Sequence, residues 1–187
     1  MTSSGKNPGV GRMLIALHWL MLVLIAAAYL TIELKSIFPK GSAPREAMAT
    51  GHYLLGLSIF TLVWLRLLIR FRHPLRRLEL NQPGWQLQLR NLVHCSLYVL
   101  MIGVPLLGWM TLGAKGTPLA VLGHALPALV SKSAVLAKWF KEMHQTLATI
   151  GYLLIGLHAG AALYHHYVRG DDTLRLMVHD FRRDAAP

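Results

Sequence analysis

The chain divides into long apolar runs separated by short polar, mostly basic connections. Met13 to Ile32 carries no formal charge, His52 to Ile69 carries one (Arg66), and neither Leu92 to Leu112 nor Leu147 to Tyr167 carries any. A helix crossing about 30 Å of hydrocarbon needs about 20 mostly apolar residues, and each run meets or nearly meets that length. Four such helices cannot all be hidden from water inside 187 residues. The pattern therefore predicts an all-α, integral-membrane four-helix bundle, up-and-down, with spans over about 13–32, 50–70, 92–112 and 145–167. The connections are too short for a second domain, so residues 1–187 are expected to form one transmembrane unit. The first run is too long for the apolar region of a cleaved signal, and no small-residue cleavage site follows it.

Composition agrees: 54% of residues are hydrophobic and 14% charged, against about 25% charged in soluble domains. The net charge of +11 resembles that of a nucleic-acid-binding protein. The basic residues, however, flank apolar spans, where they set topology instead. Lys6, Arg12, Arg66, Arg70, Arg72, Arg76, Arg77, Arg90, Arg169, Arg175, Arg182 and Arg183 fall on one side. Lys35, Lys40, Arg45, Lys115, Lys132, Lys138 and Lys141 fall on the other. The richer side should be cytoplasmic, which puts both termini inside. The poorer side still has a net charge of +4 after Glu33, Glu46 and Glu142 are counted.

The connection from Gly113 to Met143 is long for a helix pair. Within it, Ala134 to Met143 mixes apolar residues with lysines and reads as a short amphipathic helix on the outer membrane face. Spans three and four contain Gly103, Pro105, Gly108, Gly151, Gly156 and Gly160. Gly156 and Gly160 form a small-xxx-small step around His158. Such a step allows close helix packing or leaves room for a flat macrocycle.

The ten histidines carry the candidate chemistry. An ionisable side chain inside a bilayer is costly and marks a functional site by default, and neutral imidazole is a common haem-iron ligand. The lone Cys95 and the lack of a C-x-x-C-H sequence exclude covalent c-type attachment. His144 and His158 are 14 residues apart, which on a helix is about 21 Å along the axis and only about 40° around it. They face one interior at two depths. His52 opens the second span level with His144, and His18 lies in the first span roughly level with His158. The pairs read as His52–His144 near the outer face and His18–His158 near the inner. Two imidazoles on one iron leave no open position for O₂ and suit electron transfer. His94 competes for the inner position from a shallower site. His165 and His166, at the inner end of the fourth span, can reach a haem propionate or quinone carbonyl, or simply face headgroups. Arg66 and Arg70 can pair with propionates or snorkel to the interface. His73, His124 and His179 fall in connections.

The run Ile15-Ala-Leu-His-Trp-Leu20, the basic Arg66-to-Arg77 stretch, and His144-x13-His158 followed by Ala161-Ala-Leu-Tyr-His-His-Tyr167 resemble the bacterial cytochrome b561 family. The histidine arrangement is shared with the b-type subunits of formate dehydrogenases and Ni/Fe-hydrogenases. The resemblance covers about Met13 to Met177. It implies a multi-pass protein of the bacterial inner membrane with two haem b groups, with His18, His52, His144 and His158 as axial ligands. It also implies electron transfer to ubiquinone, most closely as in a superoxide oxidase, which takes electrons from periplasmic superoxide.

The basic outer loops fit an anionic substrate, because such a field raises its arrival rate. Lys132, Lys138, Lys141 and Arg45 are the candidate anion-attracting rim. Two other readings stand beside this one. In the first, the chain is a cytochrome b subunit linking a partner dehydrogenase to quinone, its basic face docking an acidic redox protein. In the second, it is a haem-free transporter whose histidines relay protons. Membrane lipid is an expected partner in every reading, and nucleic acid in none.

Overall fold

The structure is a computed structural model that describes residues 8–73, 84–117, 120–121, 123–170, 174–175 and 177. Lys6, Arg76, Arg77, His179, Arg182 and Arg183 lie outside the described residues. Each apolar run forms one helix: α1 (Pro8–Lys35), α2 (Ala43–Arg72), α3 (Gly84–Lys115) and α4 (Ala134–Tyr167). All four are long and apolar enough to cross a membrane. Only 6% to 22% of the most apolar stretch of each helix is buried inside the chain. Side chains such as Val23, Val99 and Leu153 instead point outward. So much exposed apolar surface is tolerated only in contact with lipid.

The helices run antiparallel in chain order, α1 packing on α2, α2 on α3, and α3 on α4. Met21 and Val63 are fully buried and, with Ala28 and Ile59, form the central core against Tyr98 and Met101. Leu14 and Leu17 meet Ile69 at one end of the bundle, and Ala114 meets Ala137 and Phe140 at the other. The α1/α4 seam is different: these two helices do not pack closely along their length. Polar side chains bridge them. Tyr29 Oη donates to Ala148 O at 2.7 Å, Tyr152 Oη donates to Glu33 Oε1 at 3.1 Å, and the two tyrosine rings lie against each other, tilted by 38° with centroids 4.1 Å apart.

Helix ends follow local chemistry. α3 stops where Gly116 adopts φ +73°. The Gly116 and Thr117 amides then bond back to Gly113 O and Leu112 O, closing the terminal carbonyls as a left-handed glycine does. α4 begins at Ser133, whose side chain accepts from Leu136 N, satisfying one of the free first-turn amides. Between them lies a small hairpin pairing Ala120–Val121 with His124–Ala125. The α1–α2 turn is held by Arg45, whose Nη1 donates to Lys35 O at 3.0 Å and Phe38 O at 2.7 Å.

The segment from Ala134 to Met143 departs from expectation. It is not a separate surface helix but the first turns of α4. Its apolar face, Ala137 and Phe140, packs on Leu107, Met110, Ala114 and Val130, so the lysines alternate with protein contacts rather than lipid contacts. Gly156 and Gly160 also differ from a packing motif, because a Cβ at either would meet nothing within 4 Å. Gly151 is the glycine that packing requires: a Cβ there would lie 2.5 Å from Tyr29 Oη. Gly151→Val should therefore destabilise the chain by about 1–3 kcal/mol, the usual cost of overpacking. Adding Tyr29→Phe should recover part of the loss. Thermal unfolding of the single and double variants in detergent measures both effects.

Candidate functional site

A cavity of about 380 Å³ lies between the four helices. His18, His94 and His158 stand on its wall toward one end, and His52 and His144 toward the other. Apolar side chains such as Met21, Ile25, Ile59 and Leu97 make up most of the rest.

The helix register brings the histidines together in pairs. The His52 and His144 rings are 6.0 Å apart between centroids, at 79°. His18 and His158 are 6.1 Å apart, at 72°. His94 lies 5.1 Å from His158, at 89°. His52 Nδ1 donates to Ala28 O on α1 at 2.9 Å, and His144 Nδ1 donates to Val104 O on α3 at 2.8 Å. A carbonyl can only accept, so the proton sits on Nδ1 and leaves the Nε2 lone pair free. A carbonyl bond of this kind is what orients a metal-binding histidine. His94 Nδ1 bonds Arg90 O at 2.7 Å, one turn back on its own helix. Gly108 makes the approach of His144 possible, since a Cβ there would sit 3.3 Å from two atoms of its ring.

The other expected residues are scattered. Arg66 lines the cavity, with its guanidinium 5.8 Å from the centre of the Tyr98 ring and within Coulomb reach of His18, His94 and His158. Among the described residues no carboxylate pairs with it. Arg70 is exposed and off the cavity wall. His165 and His166 are half-buried at the end of α4, also off the wall, and His166 Nδ1 is buried with no hydrogen-bond partner among the described residues. Lys138 and Lys141 are exposed on α4, and Lys138 makes a loose surface pair with Glu142 at 3.9 Å. The Lys132 stem lies over Gly116. Arg45 and Lys141, with Lys115, fall within Coulomb reach of Lys35, so the basic residues of this end share one surface.

Some wall residues were not singled out from sequence. Tyr98 has a buried hydroxyl without a hydrogen-bond partner among the described residues, and no sequence signal separates it from a core tyrosine. Met177, whose carbonyl accepts from Trp19 Nε1 at 3.2 Å, folds back onto the wall from beyond α4. Tyr29, Tyr152 and Glu33 complete the wall at the α1/α4 seam. Glu33 was legible in principle as an acid at the edge of an apolar run.

Comparison with known proteins decides what kind of site this is. The family model for prokaryotic cytochrome b561 matches residues 9–180. The chain belongs to the prokaryotic cytochrome b561 family. It is 37% identical to cytochrome b561 homolog 1 of Escherichia coli (strain K12), over 88% of this chain and 93% of that one. It is 34% identical to the probable superoxide oxidase CybB of Yersinia pestis, over 88% and 92%. A shorter match, 31% identical over 86 residues, joins it to cytochrome b561 homolog 2 of Escherichia coli (strain K12). As a member of this family the chain is a multi-pass oxidoreductase of the bacterial inner membrane that binds b-type haem and carries electrons across the bilayer.

The residues present fit such a group. A metal between two imidazoles needs two bonds of about 2 Å, plus about 1 Å from each nitrogen to its ring centre, giving centroids about 6 Å apart. Two of the three ring separations have that value, and the third, at 5.1 Å, is too short. The Arg66 guanidinium and the Tyr98 hydroxyl, neither with a polar partner among the described residues, are suited to a carboxylate such as a propionate. Bulk at Gly108 should displace the His144 ring, so Gly108→Val is expected to lower the haem content of the purified cytochrome b561 chain. A pyridine haemochrome assay per mole of protein reads this directly.

Proposed function

We propose that this chain oxidises superoxide at the outer membrane face and passes the electrons to ubiquinone. It holds two haem b groups, one by His52 and His144 and one by His18 and His158, with both termini cytoplasmic. The observation that carries the reading is the pair of 6 Å imidazole gaps, set 14 residues apart along α4. Haem, when bound, supplies a one-electron carrier at each of two depths.

The chain's own residues do the remaining work. Ala28 O and Val104 O fix the tautomer and direction of His52 and His144. His94 is tied to its own helix and serves as a neighbour of His158 rather than a ligand. Arg66, with Tyr98, holds a propionate, because an intramembrane guanidinium without an anion is costly. Lys132, Lys138, Lys141 and Arg45, joined by Lys35 and Lys115, attract the superoxide anion. The Lys138–Glu142 pair does little to cancel this, since exposed pairs are worth at most about 1 kcal/mol. The name of the Yersinia pestis relative, probable superoxide oxidase, supports the choice of donor.

Rapid mixing of oxidised protein with superoxide should give fast haem reduction, followed by reoxidation once ubiquinone is added. Absence of the first phase would overturn the donor, and absence of the second the acceptor. Rising ionic strength should slow the first phase. Lys138→Gln with Lys141→Gln should lower its low-salt rate by about threefold or more and flatten its salt dependence. A rate indifferent to salt removes the steering role. His52→Ala and His144→Ala should each leave one haem per chain, whereas His94→Ala should leave two. Two haems in either of the first variants would refute the pairing.

A further inference from the structure

The two histidine pairs differ in what surrounds them. Both rings of the outer pair are anchored through Nδ1 to a carbonyl on a neighbouring helix, His52 to Ala28 O at 2.9 Å and His144 to Val104 O at 2.8 Å. His18 and His158 make no hydrogen bond with any described residue. Their charged neighbour is a cation, since Arg66 lies within Coulomb reach of both.

Each difference changes how readily an iron between the rings takes an electron. A ring whose Nδ1–H is bonded to a carbonyl carries more electron density on Nε2 and is the stronger base. A stronger base favours ferric iron, the more positive state, and such hydrogen bonding is one of the levers on a haem potential. Arg66 acts in the other direction at the inner pair, because a positive charge in a low-dielectric interior favours the state with one more electron. The two effects sit at opposite ends of the cavity and therefore add. The basic rim opposes them at the outer end, but Lys115, Lys132, Lys138 and Lys141 are exposed, and salt limits the reach of such charges to about 10 Å. The carbonyl bonds act on the ligands themselves and are not screened.

The outer anchor also carries an adjustment. Ala28 O accepts a second hydrogen bond, from Thr31 Oγ1 at 2.9 Å. Two donors share the electron density of one oxygen, so the Thr31 hydroxyl weakens the bond from His52 to the same atom. Thr31 bonds to no histidine, and its methyl lies toward the bare backbone of Gly51, where the branched side chain of valine also fits. It is a positioning residue that acts through Ala28.

We propose that these contacts grade the two sites: the carbonyl-anchored His52–His144 pair has the lower affinity for an electron, the His18–His158 pair beside Arg66 has the higher, and Thr31 sets the outer value through Ala28 O. This rests on the pairing of the four histidines given above. One electron leaves the outer site, which is oxidised, and enters the inner site, which is reduced. No bond forms or breaks and no proton moves. Transfer inward is downhill, and the outer site is left oxidised for the next anion.

Two single-haem proteins separate the sites, His18→Ala keeping the outer and His52→Ala the inner. Equilibrium reduction against redox mediators, followed by haem absorbance, should show the inner site favouring the electron about tenfold or more over the outer, which is about 59 mV for one electron. Equal values or the reverse order would overturn the grading. A second measurement leaves all four ligands in place. In the di-haem protein, Thr31→Val should make the harder of the two reduction steps about two- to threefold less favourable, the scale of a modest change in one hydrogen bond, and leave the easier step unchanged. Arg66→Gln should instead make the easier step about threefold or more less favourable and spare the harder. No shift with Thr31→Val, or a shift in the easier step, would overturn the role of the carbonyl bond. Two haems retained in either single-ligand variant would refute the pairing itself, and the grading with it.

Discussion

A polar side chain inside hydrocarbon has no water to turn to, so it must be bonded within the protein, and this requirement organises the interior of the bundle. Helix backbones supply most of the partners. His52 takes Ala28 O from α1, His144 takes Val104 O from α3, and Tyr29 takes Ala148 O from α4. Each bond crosses from one helix to the next, so each is also a constraint on register. Shifting α1 by one residue along α2 would carry Ala28 O away from His52 and leave a buried N–H without a partner, at a cost of about 1–3 kcal/mol. The same bonds determine chemistry. A carbonyl accepts only, so it holds the proton on Nδ1 and turns the Nε2 lone pair inward. Packing and ligand orientation are in this sense one interaction seen from two sides.

Close approach between a side chain and a neighbouring helix requires that the neighbour be thin at that point. Gly108 faces the His144 ring and Gly151 faces Tyr29 Oη, and a Cβ at either would intrude. Gly156 and Gly160 face open space. Two kinds of glycine therefore occur in these helices: those that admit a protein side chain, and those that leave the surface flat. Spacing alone does not separate them, because the small-xxx-small pattern belongs to the second kind here and the isolated glycines to the first.

This distinction also marks where the sequence was informative. The four helices, their order and the facing of His144 and His158 follow from periodicity and length, since an apolar run of about 20 residues has few alternatives. That the α1–α2 and α3–α4 connections lie beside one another at one end of the bundle also follows from topology. What could not be read were contacts set by tertiary approach. The start of α4 looked amphipathic because its lysines alternate with Ala137 and Phe140, and only the packing of those two on Ala114 shows that protein, not lipid, covers them. Tyr98, Tyr29 and Tyr152 were indistinguishable from lipid-facing or core aromatics, which are common in membrane helices. Met177 could not be placed on the cavity wall without the fold-back that bonds its carbonyl to Trp19.

The cavity wall carries two formal charges among the described residues, Glu33 and Arg66, and they stand toward opposite ends. Glu33 lies near the α1 terminus, beside Lys35 and the basic residues grouped around it, while Arg66 acts on His18, His94 and His158. In a medium of low dielectric such charges act over long distances. An added electron is therefore favoured at the Arg66 end and disfavoured toward Glu33, and local charge is one of the main determinants of a haem site's affinity for electrons. Under the proposed chemistry, in which the basic rim gathers superoxide, this field draws the electron away from the end at which it enters, so back-transfer to O₂ is opposed. The same pair of charges thus gives the interior a direction, and it does so with residues that lie outside the histidine pattern.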